Sequence, residues 1–360
     1  MPGLIWQRPF RNQQGGEILP EAFEVLKPGI FTTVQDGGFT GYRAFGIPTG
    51  GAIDRFSLRA ANILTGNDEY TAALEITVKG PTLRVLKDTA IAVTGGNLTP
   101  MVNGEPLPMW ETVFVREGDI IAFGVRQSGC RSYLAAAGGF DVPPVLGARS
   151  VNTRIGIGGT DGRPLRQGDL LKTQPACLCN ETTLELLPAN RPVYEPNVNL
   201  QLLPGPHFRL FNERSVNDFT GAIFNVSEQA DRMGVILKGH RIKGPAGERI
   251  SQPVTPGSVQ IPPGGDPILL LADCQTTGGY AHIGTVITAD QYRAGQLFPG
   301  DKVSFSLVAM EQAINKLLQQ EKIITCIRPK KSIRRLCRTA KNTYEIIIEH
   351  KNCLDREDNL

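Results

Sequence analysis

Short hydrophobic runs, alternating with polar residues and cut by glycine and proline, occupy most of this chain and predict strands rather than long helices. Ala73 to Gly96 (ALEITVKGPTLRVLKDTAIAVTGG) alternates well enough for three strands, broken at Lys79-Gly80-Pro81 and turning at Asp88. Val115 to Gly124 reads as a turn and a short strand, and Cys130 to Gly139 as a hairpin-like return into a more hydrophobic one. Val254 to Gly265 followed by Asp266 to Asp273 has the same grammar, which predicts two related all-β units with a boundary between Thr173 and Pro204. One clear helix precedes the tail, in Asp54 to Asp68 (DRFSLRAANILTGND). Phe56, Leu58, Ala61, Ile63 and Leu64 form its apolar side, Asp54 can cap it and Gly66-Asn67 ends it. NERSVNDFTG and SEQADRMG resemble short helices or turns, the second leading into a strand at ILKGH. AMEQAINKLLQQEKIIT is amphipathic through Ile314, Leu317, Leu318 and Ile324, and past about Thr325 a poorly ordered appendage is expected.

Composition narrows the class. A chain of 360 residues is long for one core and comfortable for two domains; 41% apolar and 20% charged residues describe an ordinary globular protein. The 40 glycines and 26 prolines fall mainly at turn-like positions, as many short strands require. No apolar run is long enough to cross a bilayer and MPGLIWQRPFRNQQGG has no continuous apolar segment, so a cytoplasmic, non-membrane protein is expected. Residues 309–360 carry eleven Lys or Arg against seven Asp or Glu, leaving 27 basic and 28 acidic residues before them. The net +3 is thus a property of the tail, and nucleic-acid binding is not indicated. Seven cysteines form no zinc-like pair of pairs, Cys177 and Cys179 being one residue apart, and they read as buried or incidental thiols of a reducing compartment. His207, His240 and His282 are scattered, so no metal site is expected. There is no GxxxxGK[ST], no GxGxxG between strand and helix, and no GxSxG.

The chemistry concentrates in Pro253 to Gly300, where Asp273, Gln275, Thr276, Thr277, Gly278, Gly279, Tyr280 and His282 fall within ten residues. So many polar groups in a core strand would each need a partner, so this run reads as the wall of a polar site. Gln275, Thr276, Thr277, the Gly278 backbone and Tyr280 can bind a substrate carbonyl, and His282 or Asp273 can manage a proton. A second wall is Thr32 to Asp68, where glycines allow close approach and Asp54 and Asn67 offer substrate contacts; a β-barrel loop with capping residues explains the same spacing. Glu75, inside an apolar strand, is either an exposed end-of-barrel residue or a buried carboxylate with raised pKa, suited to proton transfer. Arg232, in Asp231-Arg232-Met233-Gly234, can fork onto a substrate carboxylate or hold a turn by pairing with Asp231 or Glu228. The two walls are expected to converge on one cleft.

Several long motifs resemble the allophanate hydrolase subunit 2 family, also called biotin-dependent carboxyltransferase-like, which includes KipA proteins and the C-type subunit of bacterial 5-oxoprolinase. They are KPGIFTTVQDGG (Lys27 to Gly38), GYRAFGIPTGGAID (Gly41 to Asp54), AANILTGND (Ala60 to Asp68), AALEITVKGPTL (Ala72 to Leu83), CRSYLAAAGGFDVPPVLGARS (Cys130 to Ser150), DRMGVIL (Asp231 to Leu237) and the Pro253 to Gly300 block. The resemblance covers about residues 25–310. It implies two tandem cyclophilin-like β-barrel domains, 25–180 and 181–310, with a few short helices; residues 311–360 read from the sequence itself as a basic C-terminal helical tail. The resemblance also implies one component of an ATP-dependent 5-oxoprolinase that opens 5-oxo-L-proline to L-glutamate, active only with partner subunits. The partners would be a KipI-like subunit 1 homologue (the B-type component) and a homologue of the A-type component. ATP would act through them, and no covalently bound cofactor is expected here. The alternatives are a carboxyltransferase component moving carboxyl from biotin, carried by another chain, to urea or a similar amide, and a KipA-like regulatory binding protein. Residues 1–24 and the stretch after about Gln320 depart from the family pattern.

Overall fold

The computed structural model describes residues 19–176, 183–247 and 250–329, and the backbone of Ser332–Arg338 and Thr343–Glu349. The N-terminal half is two packed sheets. One runs Leu170–Lys172, Glu21–Lys27, Thr82–Val85, Ile120–Phe123, Pro100–Val102, Glu105–Pro106; the other runs Phe31–Gln35, Ala73–Thr77, Ser128–Ala136, Thr89–Asn97, Val113–Val115. Alternation sorts their side chains. Phe23, Val25, Leu83, Val85 and Ile121 from the first sheet meet Leu74, Ile76, Ile91, Val93 and Leu134 from the second in one core. The central strand Ser128–Ala136 is buried on both faces, because its opposite residues Tyr133 and Ala135 pack under helix α1 (Arg55–Leu64) against Leu58 and Ala61. The predicted helix is thus present with its predicted caps. Asp54 accepts from Ser57 N at 2.9 Å, and Gly66 (φ 75°) and Asn67 close the C-terminus with bonds to Ile63 O and Asn62 O of 3.0 and 2.9 Å.

The C-terminal half is a closed barrel of seven strands. Their order is Asn197–Pro204, Ala281–Val286, Ser258–Ile261, Ile268–Leu270, Gly234–Lys238, Phe224–Ala230 and Lys302–Leu307, the last running parallel to the first. Leu200, Leu202, Val235, Val259, Leu269, Ile283 and Val303 fill it. Helix α2 (Glu213–Gly221), N-capped by Asn212, covers one end by stacking Phe219 on Phe305 at 4.8 Å and tilting it against Phe224 at 5.9 Å. The all-β expectation therefore holds, with few helices. Two details differ. Ser227–Ala230 continues the strand from Phe224, because Phe224 and Val226 alternate into the core. The turn falls at Asp231, whose Oδ1 accepts from Met233 N and Gly234 N. The repeated grammar is also only half realised. Ser258–Ile261 pairs with Ile268–Leu270, whereas Ile120–Phe123 and Ser128–Ala136 lie in different sheets, since Gly124 N and Gln127 N bond instead to the loop after Asn97 and to Asn97 O.

Between the halves, Leu184–Glu185 pairs with Arg328–Pro329, and Leu186 and Tyr194 join Phe56, Trp110, Tyr292 and Ile324 in a cluster that fastens the connection. The short helix α3 (Gln291–Ala294) supplies Tyr292, and helix α4 (Met310–Ile324) supplies Ile324. The predicted apolar stripe of α4 is split. Leu317 and Ile324 pack inward with Ala313, but Ile314 and Leu318 are 51% and 55% exposed. Two 2.6 Å bonds from the Arg59 guanidinium to Glu321 fix the helix in that rotation. Beyond Thr325, where the sequence predicts an unstructured appendage, Ser332–Arg338 and Thr343–Glu349 pair as an antiparallel hairpin. Cys130 and Cys274 are buried and Cys326 is exposed; Cys177, Cys179 and residues 1–18 lie outside the described residues.

Truncating the Phe219 ring should expose this packing directly. Phe219→Ala is expected to destabilise the protein by about 3–5 kcal/mol in urea unfolding, and an unchanged midpoint would show that the stack contributes little.

Candidate functional site

The second core strand Ala73–Thr77 places Glu75 opposite Tyr133 in register, on the face turned toward α1. Glu75 has no solvent exposure, yet each oxygen is engaged. It accepts from Tyr133 Oη at 2.7 Å, from Ile53 N at 3.0 Å and from Arg232 Nη1, with Arg131 Nε at 3.8 Å. Arg232 reaches it from the barrel, on the turn before Gly234–Lys238. Its fork also donates Nε and Nη2 to Asp273 at 2.8 and 3.1 Å, and Nη2 to Gly51 O at 2.6 Å. Gly51 must be glycine for this approach: its φ is 77°, and a Cβ there would lie 2.8 Å from Asp36 O and Gly38 N. Burial pushes the Glu75 carboxyl up, but Arg232, Arg131 and the two hydrogen bonds outweigh it and hold the group below its ordinary value. Glu75 is therefore no proton-transfer residue of raised pKa; it is an ionised, sealed anchor. Arg232 has its fork engaged within the protein and is not free to clamp a substrate carboxylate. Asp273, only 5% exposed, is its partner rather than a free base.

Asp54 and Asn67 are likewise structural. Asp54, fully buried, caps α1 and also accepts from Gln296 Nε2 at 2.7 Å and Tyr194 Oη at 3.1 Å; burial pushes its carboxyl up. The Asn67 amide bonds Thr65 Oγ1, Ala136 O and Gly138 N, pinning the helix end to the strand Ser128–Ala136. Asp36 similarly holds Gly38 N, Arg149 N and Ser150 Oγ. His282 lies within the barrel strand Ala281–Val286, its Nε2 at 2.9 Å from Gly284 O and 3.0 Å from Thr285 Oγ1. Burial pushes its pKa down, so the ring is a neutral strand residue that bonds its own backbone rather than an open acid–base group.

What stays open is the outer wall of the barrel. Gln275 and Thr276 are half-buried, Thr277 and Tyr280 exposed, and Thr277–Gly278 makes a two-residue ladder with Gln252–Pro253. Gln275 and Tyr280 line a cavity of about 500 Å³ with Asp231, Met233, Ile268 and Leu270. The glycine-rich loop does not reach it. Thr49 to Arg55 meets the barrel at Ala272, through Gly50 N to Ala272 O at 3.0 Å, and lines a separate cavity of about 420 Å³ with Thr255, Leu271 and Gln291. The two predicted walls therefore touch, at the buried Arg232–Asp273 junction, at Gly50–Ala272 and through Arg43 beside Val254 O and Cys274, but they open on different hollows. Among the described residues no three His, Cys, Asp or Glu are placed to hold a metal, and no helix is long and apolar enough to cross a membrane.

Residues 45–307, which carry both the Arg232 junction and the Gln275 cavity, match the family described as carboxyltransferase domain, subdomain A and B. The chain belongs to that family. It is similar to the C-type subunit of Escherichia coli 5-oxoprolinase, at 36% identity over 83% of this chain and 95% of that protein. The crystal structure of TTHA0988 superimposes with a TM-score of 0.70 at 34% identity, covering 83% of this chain and 58% of that one. The crystal structure of Kluyveromyces lactis urea amidolyase gives 0.78 at 29% identity, covering 92% of this chain but only 22% of that longer one.

In this carboxyltransferase-family chain, sequence reasoning missed Tyr133, Arg131, Gln296 and Gln260. The first three are hidden because their partners come from distant elements; Gln296 alone bonds Cys130 N, Arg131 N, Arg131 O and Asp54 at 2.7–2.8 Å. Gln260 carried a faint signal, as the polar residue between Val259 and Ile261 in VQI, on the strand face opposite the barrel core.

Two outcomes test the junction. Arg232→Met leaves buried Asp273 without its ion-pair partner and Glu75 with Arg131 at 3.8 Å as its remaining cation, and should cost about 3–5 kcal/mol in unfolding free energy. Because the folded Glu75 carboxyl sits below its ordinary 4.5, the stability it contributes is present above that pH and is lost as pH falls through the folded value. Glu75→Gln should therefore flatten the acid limb of the stability–pH curve relative to wild type, and parallel curves would show that Glu75 is not ionised in the folded protein.

Proposed function

We propose that this chain is the C-type subunit of an ATP-dependent 5-oxoprolinase, hydrolysing the lactam of 5-oxo-L-proline to L-glutamate together with partner subunits. The observation that carries the reading is the match of length as well as sequence: the similarity to the Escherichia coli 5-oxoprolinase component runs through 95% of that protein. In the urea amidolyase of Saccharomyces cerevisiae the corresponding region is only 17% of the chain. ATP chemistry is assigned to the partners, a KipI-like subunit 1 homologue and an A-type homologue, and the working place to the cytoplasm. The lactam carbonyl needs hydrogen-bond donors as water adds and the C–N bond opens, and the departing nitrogen needs a proton. Gln275, Thr276, Thr277, the Gly278 backbone and Tyr280, on the open wall of the barrel, suit the first task. Asp231, on the same cavity, replaces the sealed Glu75, Asp273 and His282 as the candidate for the second.

A second reading is favoured by one observation, the TM-score of 0.78 with Kluyveromyces lactis urea amidolyase. The chain would then transfer carboxyl from biotin borne by another chain to an amide acceptor. The same cavity serves both, since a lactam and a ureido group are each planar amides.

Co-purification with the two partner subunits followed by a glutamate-release assay tests the first reading. Turnover should require 5-oxo-L-proline, ATP and all three chains, and its absence with every chain folded would remove the assignment. Gln275→Ala should lower kcat about 100-fold with an unchanged circular-dichroism spectrum and melting temperature.

A further inference from the structure

One residue of the cavity is chemically unlike the rest of the buried amides. Gln260 sits on the barrel strand Ser258–Ile261 at 1% exposure, and neither its Oε1 nor its Nε2 has a hydrogen-bond partner. Among the described residues it is the only buried amide with both side-chain atoms buried and unpaired; Gln35 lacks a partner at Oε1 but pairs through Nε2, and Asn152 lacks one at Nδ2 but pairs through Oδ1. Gln296, buried to a similar degree, uses both ends fully. A carboxamide kept wholly unpaired in a core is costly, and a native fold retains it where something else supplies the partner.

The neighbours show where that partner would enter. The Gln260 amide lies directly beneath Gly278, so close that a Cβ on Gly278 would stand 2.6 Å from Nε2 and 3.4 Å from Gln275 Nε2. Gly278 belongs to the strap held down by the two-residue ladder with Gln252–Pro253. Gln260 also lines the cavity shared with Gln275, Tyr280 and Asp231, whose floor is the apolar pair Ile268 and Leu270. The site thus has an unpaired carboxamide at its base, an apolar floor, a polar rim and a cover one strand thick, held by the ladder with Gln252–Pro253 and by Val254 N to Thr276 O at 3.0 Å.

We propose that Gln260 is the recognition residue for a cis-amide, pairing edge to edge with a lactam or ureido group when the Gln275–Tyr280 strap lifts. A primary carboxamide presents its C=O and one N–H on the same edge. A cis-amide does the same, so the two close a ring of two antiparallel hydrogen bonds. A trans-amide has its C=O and N–H on opposite edges and cannot make both bonds. Either flip of the Gln260 amide accepts the ring, because the ligand can enter in the matching sense. The inference rests on the reading of this cavity as the place where an amide substrate is handled. It goes further in naming the residue that selects cis-amide geometry.

Two measurements test it. Gln260→Met keeps the shape and removes both unpaired atoms, so the full-length variant should melt at or above the wild-type temperature. In the reconstituted three-subunit complex it should raise KM for 5-oxo-L-proline about tenfold or more. Calorimetric titration of the wild-type complex with 5-oxo-L-proline, urea and biotin separates lactam from ureido ligands, with N-acetylglycine as the trans-amide control. Gly278→Ala, which drives a methyl toward the Gln260 amide, should weaken the same ligand. A lower melting temperature for Gln260→Met, unchanged binding in that variant, or equal affinity for N-acetylglycine would overturn the proposal. A wild-type complex that binds urea or biotin through Gln260 but releases no glutamate would sink the 5-oxoprolinase reading and leave this inference standing.

Discussion

Arg232 is the hinge-pin of the molecule. Its guanidinium leaves the barrel, crosses to the two-sheet half and bonds there to Glu75 and to the Gly51 carbonyl while keeping both remaining contacts on Asp273. A buried charge is tolerable only when every donor and acceptor around it is matched, and here the matching groups come from both halves. Each half supplies part of the compensation, Asp273 for Arg232 in the barrel and Arg131, Tyr133 and Ile53 N for Glu75 in the two-sheet half, and the Arg232–Glu75 bond joins the two. The two units are therefore fixed relative to one another by chemistry as well as by the Phe56, Trp110 and Tyr292 cluster that packs their connection.

That constraint explains why the polar residues of this fold divide into two kinds. Glu75, Asp54, Asp273, Asn67 and Gln296 are conspicuous polar groups whose bonding capacity goes into positioning, of a helix start, a helix end or the interdomain junction. Gln275, Thr276, Thr277 and Tyr280 sit outside the closed barrel, on a strap paired through two residues to Gln252–Pro253, with Thr277 and Tyr280 exposed and Gln275 and Thr276 half-buried. Gln260 belongs to neither kind: it is as deep as the first and as unpaired as the second. A cavity with its polar ends arranged in this way suits a planar amide, which is the chemistry shared by the lactam and ureido readings.

The region similar to this chain fills 95% of the Escherichia coli 5-oxoprolinase component but only 22% of the Kluyveromyces lactis urea amidolyase chain. The physical reason such a module can be moved is visible in the junction. The Arg232 bridge to Glu75 and Gly51 lies within residues 45–307, so the matched region carries this junction with it.

Much of the architecture was legible in the sequence, because period-two alternation, capping residues and Gly-Pro turns are local properties. The strands of Ala73 to Asn97, the capped helix Arg55–Leu64 and the polar strap at Gln275 all follow from neighbouring residues. What local pattern could not decide was partnership. Whether Glu75 is a base or an anchor depends on Arg232, 157 residues away, and whether two short strands form a hairpin or part into separate sheets depends on which edge each one finds. Local pattern settles which residues alternate, cap or turn. Only the tertiary structure decided which of those polar groups had already found their partners and which, like Gln260, were left to bind something else, because hydrogen-bond satisfaction is a property of atoms brought together from distant parts of the chain.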